Sequence, residues 1–221
     1  VTPPEASEDV TDTARAAAGA PVGGDAFPIG NHYDKEAATN PIERRLVAGF
    51  TSALEDLLPD SAGDVLEVGC GEGHQLQKVL KAVGADRVVG LDLVDVELEG
   101  SWAGLDGVQL LWGSAYQLPF PTDSFDLVLA LEMLEHVDEP DTVLAEIARV
   151  ATGPVIISVP WEPVWRAGNL ARGRYLKDLG NTPGHIQHYS RRAIQQRIER
   201  HLDVVAIRRP FPWTFVLAQA R

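Results

Sequence analysis

The stretch Val65-Leu66-Glu67-Val68-Gly69-Cys70-Gly71-Glu72-Gly73-His74-Gln75-Leu76 decides the fold. Val65 to Val68 has the apolar, β-branched character of a buried strand. Leu76, Val79, Leu80 and Val83 then recur at helical spacing, and Gly84 closes that helix. Glycine at every second position between a strand and a helix lets the backbone approach a ligand closely. Open α/β sheets bind ligands at such turns, beyond the carboxyl ends of their strands. A Gly-x-Gly-x-Gly string alone is weak evidence, but here the context agrees and so does the next marker. Arg87 to Leu91 reads as a second strand, and Asp92 ends it. An acid about 20 residues beyond the loop is placed to accept both hydroxyls of an adenosine ribose.

Outward from this core the chain alternates strands and helices. Asn40-Pro41-Ile42-Glu43 looks like a helix start, with Ile42, Leu46, Phe50 and Leu54 on one apolar face and Pro59 as its end. Val108 to Trp112, Phe125 to Leu131 and Val155 to Val159 are further buried strands, with a helix over about Pro140 to Val150. Ser190 caps a last helix carrying Ile194 and Ile198. Val204 to Arg208 and Thr214 to Ala218 close the chain as an antiparallel pair. The expected fold is α/β: a Rossmann-like, seven-stranded, mostly parallel sheet with helices on both faces and an antiparallel last strand.

Several ligand classes share a strand–glycine loop–helix. A P-loop is excluded because no Gly-Lys-Ser/Thr follows the glycines. A nicotinamide fingerprint would place its third glycine where His74 stands, and it usually lacks an acid two residues before the first glycine, which makes a nicotinamide-dependent oxidoreductase the weaker alternative. Together with Gly113-Ser114-Ala115-Tyr116-Gln117-Leu118-Pro119-Phe120, Ser124-Phe125-Asp126-Leu127-Val128 and Leu134-Glu135-His136-Val137, the loop resembles the class I S-adenosylmethionine (SAM)-dependent methyltransferases, near the small-molecule branch that includes quinone-biosynthesis enzymes. The resemblance covers about residues 60 to 160.

The resemblance implies SAM as cofactor and a site distributed over the strand ends. Glu67, Gly69, Gly71 and Gly73 would line its methionine half, Asp92 would hold the ribose and Leu93 would flank the adenine. Ser114 and Ala115 would face the adenine edge, and Leu131 would offer backbone near the amino group. Many relatives carry aspartate where Ser114 stands; serine is shorter and neutral, which weakens that contact. The implied function is methyl transfer to a small-molecule acceptor at oxygen or carbon. An N-methyltransferase and a catalytically silent SAM-binding module are the alternatives.

A formal net charge of −13 opposes general nucleic-acid binding, which needs a positive field over phosphates. Basic residues nevertheless crowd the chain from Arg166 to Arg209, either as a solvated surface or as a site for an anionic acceptor. No apolar run approaches a membrane span, and a cytoplasmic location is expected. Residues 1–25, without an aromatic residue, read as a flexible tail, and 26–221 as one methyltransferase domain. His32 and Tyr33 are candidates for a lid.

Two segments break the alternating rhythm. Residues 93 to 106 read as an acidic loop, and 161 to 188 as a long insertion bearing Trp161, Trp165, Tyr175, His185 and His188. Loops this long in a compact domain are usually functional, so the insertion is expected to cover the acceptor. Methyl transfer to a hydroxyl or carbon benefits from a base, and His185 and His188 are the candidate catalytic residues, the alternative being a structural role in hydrogen-bonding the insertion onto the domain. His136, after the fourth strand near the expected sulfonium, has either a structural role or one in orienting substrate. No compact grouping of metal-ligand residues stands out, and no metal is expected. Cys70 reads as a small side chain filling space, since Glu67 and Glu72 disfavour its thiolate.

Overall fold

The computed structural model describes residues 41–102, 104–173 and 175–221. The tail over 1–25, Asn40 of the expected helix start, and His32 and Tyr33 lie outside them.

The elements follow the expected alternation: α1 (Pro41–Glu55), β1 (Asp64–Val68), α2 (His74–Val83), β2 (Arg87–Asp92), α3 (Val96–Trp102), β3 (Val108–Trp112), β4 (Leu127–Leu131), α4 (Pro140–Val150), β5 (Pro154–Pro160), α5 (Glu162–Ala171), α6 (Arg191–Ile198), β6 (Asp203–Arg208) and β7 (Trp213–Gln219). The strands form one seven-stranded sheet in the order β3-β2-β1-β4-β5-β7-β6. Pairing is parallel from β3 to β5, while β7 runs antiparallel to both β5 and β6. The order reverses direction at β1, and this switch point sets the ligand crevice beside its carboxyl end.

Alternation along the buried strands divides the core between the two faces. Leu66, Val68, Val128 and Ala130 pack with α4 and α6 through Val143, Leu144, Ile147, Ile194 and Ile198. Val65, Leu127, Leu129 and Leu131 point the other way, onto Phe50 and Leu54 of α1 and Leu76, Val79 and Val83 of α2. Gly90 in β2 is required by this second layer: a Cβ there would lie 2.6 Å from Leu76 and 2.8 Å from both Cys70 Sγ and Leu110. Ser190 caps α6 as expected, its Oγ accepting from Ala193 N at 3.2 Å.

Two expectations need correction. The acidic stretch expected as a loop over 93–106 contains helix α3; Leu98 and Trp102, four residues apart, fall on one face, and Leu98 is buried. The segment after β5 is likewise partly ordered. Pro163 in the first turn starts α5, and a short 3₁₀ turn covers Leu176–Asp178. Buried Asn169 ties the return of that segment to α5, donating Nδ2–H to Gly180 O at 2.9 Å and to Thr182 Oγ1 at 3.2 Å. Among the described residues no helix is long and apolar enough to cross a membrane.

Candidate functional site

The carboxyl ends of β1, β2 and β4 converge on the glycine loop. Gly69, Gly71 and Gly73 have φ of 74°, 52° and 78°, left-handed conformations that glycine adopts without strain. At Gly69 space matters as well, since a Cβ would sit 2.8 Å from Met133 Cβ in the turn after β4. The loop is pinned to β2 by Gly69 N and Cys70 N, which donate to Leu91 O at 2.8 and 3.2 Å.

Asp92 joins strand end to loop. Its Oδ2 accepts Gly71 N–H at 2.6 Å and its Oδ1 accepts Leu93 N–H at 2.7 Å. Burial pushes its carboxyl above the ordinary range, against the two backbone donors that favour the charged form. Trp102 of α3 closes the same corner: its indole donates Nε1–H to Gly71 O at 2.8 Å and stacks on Trp112 at 3.9 Å between ring centroids. Neither indole stood out in the sequence, because they meet only through α3, which was not expected.

The other expected cofactor residues frame this corner. Glu67 is buried, Leu93 is 45% exposed at the rim, and Leu131 is buried at the end of β4. Ser114 and Ala115 follow β3, where Gly113 N donates to Asp92 O at 2.8 Å, so the turn beyond β3 is hung on the strand that carries the acid. Ser114 Oγ accepts Tyr116 N–H at 3.3 Å within that turn. Cys70 is buried, and burial, then Glu67, then Asp92, push its thiol far up, so it is unreactive as a thiolate.

Glu132, directly after β4, has φ 58° and a fixed side chain: Oε1 accepts from Ser158 Oγ at 3.1 Å and Oε2 from Trp213 Nε1 at 2.5 Å. The turn Leu134–His136 that follows carries buried Glu135 and half-buried His136. Ile186 N and Gln187 N donate to Glu135 O at 2.9 and 3.0 Å, which docks the segment around His185 onto this turn.

The two histidines expected at the acceptor part company here. His185 is 4% exposed, bonded through Nδ1 to Glu162 Oε1 at 2.6 Å, with its ring 4.9 Å from that of His136. His188 is exposed and its Nε2 meets Asn181 Oδ1 at 2.9 Å. His136 Nδ1 lies 3.0 Å from Gly184 O; burial, and then the neighbouring His185, lower its pKa to about 4, so the ring is neutral near pH 7. Sequence reasoning found no compact ligand grouping, yet folding brings one atom each of Glu135, His136 and His185 within 4.8 Å of one another. It also missed Glu162, for which no local pattern was available: its partner lies 23 residues away.

Among the basic residues, Arg197 and Arg200 pair with Asp141 at 2.6 and 3.5 Å, as a solvated, paired surface requires. Arg191 instead lies over the Trp161 ring at 3.9 Å, at the base of α5.

Residues 66–154 match the family model described as a methyltransferase domain. The chain is 31% identical over 154 residues to a demethylmenaquinone methyltransferase of Lactobacillus johnsonii, covering 63% of this chain and 62% of that protein. It is 33% identical over 145 residues to a probable chloroplastic tocopherol O-methyltransferase of Oryza sativa, covering 62% of this chain and 38% of that one. The chain therefore spans less than two thirds of the length of each. A SAM-dependent methyltransferase structure from Aquifex aeolicus superposes with a TM-score of 0.63 at 21% identity, over 85% of this chain and 97% of that one, which shows the fold.

Proposed function

We propose that the chain, whose residues 66–154 match a methyltransferase-domain family model, is a class I SAM-dependent methyltransferase that transfers the methyl group of SAM to a small-molecule acceptor at oxygen or carbon. The observation that carries this is the Asp92 carboxylate bonded to Gly71 N at the switch point of the sheet. A strand-end acid fastened to a glycine loop presents, in one corner, an acceptor for ribose hydroxyls and open backbone for the methionine half.

In this proposal Glu67, Gly69, Gly71 and Gly73 line the methionine portion, Asp92 holds the ribose, and Leu93, Ser114 and Ala115 border the adenine. Leu131 contributes backbone. The reaction needs the nucleophile in line with the methyl group and water kept out. Half-buried His136 and buried His185 lie beside the turn after β4, and the Trp165 indole lies 6.5 Å from the His185 ring. We place the acceptor there, and favour His185 over exposed His188. An anionic acceptor would meet Arg191, whose buried Nε makes no hydrogen bond among the described residues. The relatives' names, a demethylmenaquinone methyltransferase and a probable tocopherol O-methyltransferase, support a small-molecule acceptor.

The test is incubation of the purified chain with methyl-labelled SAM and a metabolite extract, read by mass spectrometry. A labelled small molecule that depends on intact Asp92 is expected. Tight SAM binding without any labelled product would leave a silent SAM-binding module, and binding of NADH in place of SAM would overturn the cofactor.

A further inference from the structure

We propose that Glu135, His136 and His185 form a binding site for a first-row transition-metal dication such as Zn²⁺ or Co²⁺. Two imidazoles and one carboxylate each offer a ligand atom, all within 4.8 Å of one another. This mixed nitrogen and oxygen set suits such ions, whereas Mg²⁺ and Ca²⁺ favour oxygen alone.

The surroundings orient both rings as metal ligands are oriented. His185 has its Nδ1 on Glu162 Oε1 at 2.6 Å, and His136 has its Nδ1 on Gly184 O at 3.0 Å. A hydrogen bond from Nδ1–H to a carboxylate or backbone carbonyl fixes the tautomer and leaves the lone pair on Nε2. The backbone is braced too: Ile186 N and Gln187 N hold the strand of chain bearing His185 against the carbonyl of Glu135. Ligand atoms on an ion with bonds of about 2.0–2.1 Å lie roughly 3–3.4 Å apart, so the three side chains draw together on binding. Glu132 is not part of the set, since Ser158 and Trp213 occupy its carboxylate.

Three protein ligands leave a coordination position open, as in catalytic metal sites. The role of that position rests on the methyl-transfer proposal above. An acceptor hydroxyl bound there loses its proton to solvent more readily, because the dication stabilises the oxygen anion. The oxygen lone pair then forms the new C–O bond, and the C–S bond pair returns to sulfur, leaving a neutral thioether. His185 serves as a ligand in this scheme, and Glu162 is a positioning residue.

The probe is Co²⁺ alone, titrated without SAM into the full chain after chelator treatment and followed by visible absorption and calorimetry. One equivalent should bind with new absorption bands, and Zn²⁺ should displace it. His136→Ala and His185→Ala should each weaken binding tenfold or more, Glu162→Gln by about 10–100-fold, and His201→Ala, remote from the cluster, not at all. Absence of Co²⁺ and Zn²⁺ binding by the unaltered chain overturns the site, as does equal affinity in the two alanine variants. Should those variants melt early, Glu162→Gln and Glu135→Gln decide by the same measure. Metal binding is read without turnover. A loaded protein that methylates nothing refutes the methyl-transfer proposal alone, and a methylating protein that binds no metal refutes the site alone.

Discussion

Replacing Asp92 with alanine should weaken SAM binding by tenfold or more. Its two oxygens already accept Gly71 N–H at 2.6 Å and Leu93 N–H at 2.7 Å, and a carboxylate has about four lone-pair positions. Two positions therefore remain for the two ribose hydroxyls. Hydrogen bonds to a charged group contribute about 1.5–3 kcal/mol each, so two set an upper bound of about 3–6 kcal/mol. The net loss is smaller, because in the alanine variant water enters the vacated space and restores part of the hydrogen bonding to the ribose hydroxyls. A remainder of about 1.4 kcal/mol is the tenfold expected as a minimum. Asp92→Asn keeps the shape and one carbonyl acceptor, and should fall between. Calorimetry with SAM and with its demethylated product measures both variants, alongside their melting temperatures without ligand. Affinity within twofold of the unaltered chain in a folded Asp92→Ala variant would refute the ribose assignment.

Gly90→Ala should destabilise the fold by about 1–3 kcal/mol in urea unfolding, because its Cβ would press on Leu76, Cys70 and Leu110; an unchanged midpoint contradicts the packing between α2 and β2. Cys70 should resist a thiol reagent such as DTNB at pH 8 in the native chain and react once urea unfolds it, since burial and the carboxylates of Glu67 and Asp92 raise its pKa; native labelling at the rate of a free thiol contradicts this. Glu146→Gln should cost about 1–3 kcal/mol at pH 7, because Glu146 pairs with Arg149 at 2.7 Å and accepts Leu118 N–H at 2.8 Å, fastening the segment before β4 to α4. Arg149 holds the Glu146 carboxyl below its ordinary 4.5, so this stability is present above pH 4.5 and lost as pH falls through the lower folded value. The gap between variant and unaltered chain should therefore shrink by pH 3, and a gap constant from pH 7 to pH 3 contradicts the pairing.

What could be read from the sequence is whatever its own neighbours determine. The strand over Val108–Trp112 and the helix over Pro140–Val150 fall at their expected bounds, since short apolar runs, a proline in the first turn and helical apolar spacing are local signals. The glycine loop and Asp92 were legible for a related reason: strand, turn, helix and strand are consecutive, so a fixed sequence distance becomes a fixed spatial one. Helix α3 was not, because its acidic composition suggested a loop while Leu98 and Trp102, four residues apart, supply its buried face. The polar cluster was hidden more deeply. Glu135 and His136 follow β4, whereas His185 arrives after β5 and α5, and Glu162 from the start of α5. Long-range hydrogen bonds bring them together, among them those from Ile186 and Gln187 to the Glu135 carbonyl and that between His136 and Gly184 O. Local periodicity carries no information on contacts that depend on where a segment returns to the sheet. The proposed cofactor corner, built from adjacent elements, is thus the portion a sequence displays, and the proposed acceptor side, built by a returning segment, is the portion only the fold displays. That division matches the chemistry of the proposal: a shared donor demands a recurrent local motif, while the choice of acceptor is left to residues such as His185, Glu162 and Arg191 that the motif does not contain.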